Sequence, residues 1–134
     1  MKILNIFEPI FYTHLLFIYD CTCKEATQYL NKKNIRANIK GCSGQTGSYV
    51  VKEGETSQNK YYIFIEKSNK GVVEELSTLL HEISHLVFMA MADCGIQINK
   101  DTDEVFSYYF EWWFKRLIKI DETNKKKKVS KKKI

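Results

Sequence analysis

Two histidines four residues apart, with a glutamate directly after the first, stand in the stretch His81-Glu82-Ile83-Ser84-His85. On an α-helix, residues i and i+4 lie one turn apart on the same face, so the two imidazoles can be aimed at one ion. Zinc accepts imidazole nitrogens at about 2.0–2.1 Å. Glu82 lies about 100° round the helix, where it ligates poorly but can act as general base on a water beside the metal. With three His and eleven Glu in 134 residues, the pattern arises by chance in roughly 0.005 of such chains. The surrounding elements therefore have to decide whether the chemistry is real.

The motif is central in a stretch without Gly or Pro, Val72 to Ala92, closed by Gly95 just beyond it; this predicts one long helix. Leu79, Leu80, Ile83, Leu86 and Val87 flank the pair, and burying unmetallated histidines among them is costly. A zinc site of this kind needs a third protein ligand. The only other histidine, His14, lies far upstream, which turns attention to downstream carboxylates. Glu104, nineteen residues after His85, opens the next helix and completes a His81, His85, Glu104 set that leaves the fourth position for water. Asp101 followed three residues later by Glu104 also fits a capping box, in which Glu104 folds back on the backbone. Asp103 is the alternative ligand.

Upstream, residues 9–20, "PIFYTHLLFIYD", are β-branched and aromatic and predict a strand buried on both faces, with Pro9 at its entrance. A short helix follows from about 24 to 34, then a Gly- and Ser-rich loop, "GCSGQTGSYVV", leading into a strand near 48–52. The polar "KEGETSQNK" predicts a turn, and "YYIFIEK" at 61–67 a further strand. The order is β-α-β-β, then the His-Glu-x-x-His helix, then a second helix rich in aromatics that runs to about Ile120: a small α+β domain.

In these residues the chain resembles the zincin metallopeptidases, specifically the gluzincin pattern of His-Glu-x-x-His with a downstream Glu. It is similar in element order, over residues 9–120, to small metallopeptidases encoded by tailed bacteriophages; in specific residues the likeness covers about 78–110, carried by "TLLHEISHLVF", Gly95 and the start of "DEVFSYYFEW". The resemblance implies a zincin-like domain over residues 1–121 with Zn²⁺ on His81, His85 and Glu104, and Glu82 as the base that hydrolyses a peptide bond. It implies a peptide or protein substrate and a place in the bacterial cytoplasm or on the virion. It further implies that the strand before the motif helix takes an extended peptide at its edge, which makes Tyr62 and Phe64 the candidate substrate-binding residues. Thermolysin-like members carry an aspartate four positions after the glutamate ligand, where this chain has Tyr108. No later histidine exists, which excludes the metzincin pattern. Among eight tyrosines no oxyanion-stabilising residue is singled out.

The net charge of +5 arises from seven lysines in the last ten residues, "KKKKVSKKKI"; the rest has 14 basic against 16 acidic residues, a balance of −2. Residues 122–134 read as a solvated basic tail, open to weak contact with nucleic acid. Hydrophobic residues at 44% suit a folded domain, and 134 residues suit a single one. Cys21, Cys23, Cys42 and Cys94 form no CxxC pair and read as reduced thiols. Glu8, Pro9, His14 and Asp20 interrupt the apolar amino terminus, so neither an export signal nor a membrane span is expected. Seven aromatics between Phe106 and Phe114 predict an exposed patch near Trp112 and Trp113 that serves a homo-oligomer or assembly contact. That helix and the lysine tail also support a rival reading: an inert zinc-binding or structural protein, such as a phage particle component.

Overall fold

The computed structural model describes residues 1–132 of the chain. The elements are β1 (Lys2–Glu8), β2 (Thr13–Cys21), α1 (Cys23–Lys32), β3 (Gly44–Glu53), β4 (Thr56–Glu66), α2 (Val72–Asp93) and α3 (Asp103–Lys132). They form a small α+β protein with one four-stranded mixed sheet and three helices. The chain divides into two compact units, Met1–Gln97 and Ile98–Ile134.

In the first unit the sheet order is β1-β2-β4-β3. Its centre is the parallel pair of β2 with β4, Leu15 to Ile18 facing Tyr61 to Phe64. All eight of these residues are buried, as expected for strands covered on both faces. Side-chain alternation divides them. Leu16, Ile18, Tyr62 and Phe64 cluster with Ala26 and Leu30 of α1. Ile63 shares its face with its partner Thr46 on β3, and Thr46 bonds to α2. The two helices thus cover opposite faces of the sheet.

The sequence predicts a strand from Pro9 and none before it, whereas β1 spans Lys2–Glu8. Residues 9–12 are instead a turn. Glu8 explains it: the side chain is fully buried, and its carboxylate accepts the N–H groups of Ile10 and of Phe11, the latter at 3.1 and 3.2 Å. A carboxylate that gathers orphan amides can be buried at acceptable cost. Thr22 and Glu25 form a capping box at the start of α1, with bonds of 3.2 and 2.8 Å. Asn34 at φ +60° ends that helix, and Gly95 at φ +74° ends α2 with Ile96 N–H donating to the Met91 carbonyl at 2.9 Å.

The segment "KEGETSQNK" is largely strand. Only Gly54 and Glu55 turn, and Val50 to Glu53 pair with Thr56 to Asn59. β2 joins β4 only from Tyr61 onward, so this end of the hairpin lies beyond the sheet centre and is solvated. Its polarity reflects that exposure and not a loop.

In the second unit α3 carries a buried stripe, Tyr109, Trp113 and Leu117, spaced i, i+4, i+8 on one face. The Tyr109 and Trp113 rings meet edge to face at 6.3 Å. The expected patch is therefore corrected: Trp113 has no exposed surface and Trp112 is half-buried, whereas Tyr108 is 69% exposed. Aromatics on every side hid the period that selects the buried ones. The helix continues through the lysine run to Lys132 where a loose tail was expected, since no Gly or Pro interrupts it. Lys133 and Ile134, the end of that expected tail, lie outside the described residues.

Candidate metal centre

α2 is amphipathic: Leu79, Ile83, Leu86, Val87, Ala90 and Met91 are buried, while His81 and His85 are exposed. The two imidazoles close on one another one turn apart. Their Nε2 atoms are 3.0 Å apart, and the ring planes cross at 81°. Two nitrogens on one tetrahedral zinc, each at about 2.0–2.1 Å, are separated by roughly 3.3 Å. The pair thus has nearly the bite of two ligands to a single zinc, and both nitrogens are the type that ligates. Neutral imidazoles can also share one proton at this distance, one ring donating to the other.

Glu82 lies at the border of the buried face and is 5% exposed. Thr46 Oγ1 stands 2.6 Å from Glu82 Oε2 and 2.9 Å from the Glu82 carbonyl; the single hydroxyl proton serves one of the two at a time. β3 comes this close because Gly44 has no side chain. A Cβ there would meet Thr78 Cγ2 at 2.9 Å and Glu82 Cγ at 3.0 Å. Gly47 plays the matching part on the other face, where a Cβ would lie 2.5 Å from Tyr62 Cε1. The sequence does not single out Thr46 and Gly44, because "GCSGQTGSYVV" reads as a loop. Glycines three apart inside a strand mark close backbone approach, and that was the available signal.

The expectation that Tyr62 and Phe64 form a substrate edge is corrected. β4 is an inner strand, hydrogen-bonded to β2 on one side and β3 on the other, and both side chains are buried in the α1-side core. No peptide can add there. β3 is the outermost strand at that end of the sheet, and it is β3 that bonds to Glu82.

Glu104 belongs to the second unit, as the second residue of α3, and is exposed. The helix starts at Asp103, and the Phe106 N–H donates to the Thr102 carbonyl at 3.1 Å. Thr102 is thus the cap, and the capping box from Asp101 to Glu104 does not form. The Asp103 carboxylate accepts the Glu104 N–H at 2.8 Å. Among the described residues no three His, Cys, Asp or Glu side chains stand together as a metal-binding group; the histidine pair is what α2 itself assembles.

All four cysteines are free thiols. Burial pushes the Cys21 thiol up to about 11, and burial also raises Cys42 and Cys94. Desolvation, then the nearby Lys60 charge, lowers His14. No described helix is long and apolar enough to cross a membrane. No family model, curated protein or solved structure matches the chain.

Proposed function

We propose that the chain is a zinc-dependent peptidase of zincin type. The observation that carries this reading is the 3.0 Å approach of His81 Nε2 to His85 Nε2 on a helix, beside a carboxylate at the intervening position. His81 and His85 would hold the ion, and Glu104 is the proposed third protein ligand. A bound zinc would supply Lewis acidity, polarising a carbonyl and acidifying a water.

The chain's own residues do the rest. Glu82 takes a proton from the attacking water and passes it to the leaving amine. Thr46 holds Oε2 of Glu82 and so orients the carboxylate, leaving Oε1 to carry the proton. The peptide substrate adds as a further strand on the outer edge of β3, where main-chain hydrogen bonds fix its register beside Glu82. Glu82→Gln keeps the size and the Thr46 contact but removes the base. The expected result is unchanged zinc content with cleavage of a mixed peptide substrate reduced by about 10²–10⁴-fold; cleavage at the original rate contradicts the mechanism.

The burial of Glu82 and its bond to Thr46 also favour a second reading, an inert scaffold in which the glutamate only ties β3 to α2. That reading predicts no cleavage by the zinc-loaded native chain.

A further inference from the structure

We propose that the lysine-rich end of α3 is a docking rod for nucleic acid, gripping the phosphate backbone without reading base sequence. This is independent of the metal centre. Seven of the last ten residues are lysine and none is acidic. The run is not a loose tail, because α3 includes it as far as Lys132. Lys126, Lys127 and Lys131 are exposed. Lys127 and Lys131 are four apart and share a face, with Lys126 about 100° behind Lys127. Like charges at this spacing work against the helix, and an array of anions relieves them.

The geometry of the rod selects the partner. Lys127 and Lys131, on one face, are separated by about 6 Å along the axis at the usual helical rise, close to two phosphate steps of one DNA strand at about 3.4 Å each. A membrane-surface helix needs an apolar face, typically with Trp, Phe or Leu. The last ten residues hold only Val129 and Ile134 as apolar side chains, so the run has no such face. It also lacks Asn and Gln, which pair bidentately with adenine, and Arg; lysine can reach guanine but does so as a flexible point charge without the planar fork that fixes a bidentate contact. What remains is charge for phosphates, which positions a protein but does not specify a site.

The test uses the full-length chain and a fluorescein-labelled duplex of about 20 base pairs, with fluorescence anisotropy across roughly 50–300 mM NaCl. A second duplex of unrelated sequence and phosphatidylcholine vesicles containing phosphatidylserine are run in parallel. The expected result is equal binding of both duplexes, with the logarithm of affinity falling linearly against the logarithm of salt. In K126Q/K127Q/K131Q the slope should drop by about 2.7, from about 0.9 for each lost phosphate contact, with affinity at the lowest salt weakened at least roughly tenfold. Circular dichroism confirms that the variant is folded. The proposal is overturned if neither duplex binds at the lowest salt, if the substitutions leave the slope unchanged, or if the vesicles are bound in preference to DNA.

Discussion

The Thr46 hydroxyl on β3 lies 2.6 Å from the Glu82 carboxylate on α2, joining the outermost strand of the sheet to the middle of the His-Glu-x-x-His motif. A buried carboxylate that loses its donor carries the full cost of its desolvation. Thr46→Val keeps the shape and removes the hydroxyl. Urea unfolding should show a loss of about 1–3 kcal/mol, and an unchanged midpoint would mean that the bond contributes nothing.

The close seating of β3 depends on two missing side chains. A methyl group at residue 47 would strike the Tyr62 ring, and one at residue 44 would meet Thr78, Glu82 and the Phe64 carbonyl. Overpacking of this kind costs about 1–3 kcal/mol, so Gly44→Ala and Gly47→Ala should each lower the unfolding midpoint. The two differ in rescue. Trimming Tyr62 to Leu should make Gly47→Ala less harmful, read as a coupling energy in a double-mutant cycle, but should leave Gly44→Ala as costly as before. Additive effects at 47 and 62 would contradict the contact.

Most of the element order was legible in the residues. The β2 and β4 centres, α1, and α2 with its Gly95 stop follow from apolar runs and helix-end chemistry that act locally. β1 was hidden because Glu8, a charged residue, is buried for the sake of amides two and three residues on, a relation that no hydrophobic pattern encodes. The outer halves of β3 and β4 were hidden because strands paired beyond the sheet centre are as polar as loops. Tyr62 and Phe64 fall on a strand as the sequence predicts, but on an inner strand and not an edge, since pairing order is a property of the whole sheet. At the candidate site the histidine pair was legible from spacing alone. Its link to Thr46, 36 residues earlier, was not.

The thiols give a prediction with a definite sign. Burial raises Cys21 to about 11, so the folded chain keeps a proton that the unfolded chain releases above about pH 8.5. That contribution to stability is complete below the unfolded value and is lost as pH rises toward 11. Tyr49 and Tyr62, also raised by burial, act in the same direction. Urea midpoints should fall between pH 8 and pH 10, less steeply in Cys21→Ala; an equal decline in that variant removes Cys21 from the account. In native protein at pH 8, a thiol reagent should modify exposed Cys94 well before buried Cys21.

Metal content tests the central claim most directly. The purified chain, supplied with zinc and then freed of excess, should carry about one ion per molecule by elemental analysis. An H81A/H85A variant prepared identically should carry none, and E104A should retain zinc only weakly. No zinc in the native chain, or the same amount after both histidines are removed, would contradict a metal centre on α2 and leave His81 and His85 as surface residues that share a proton.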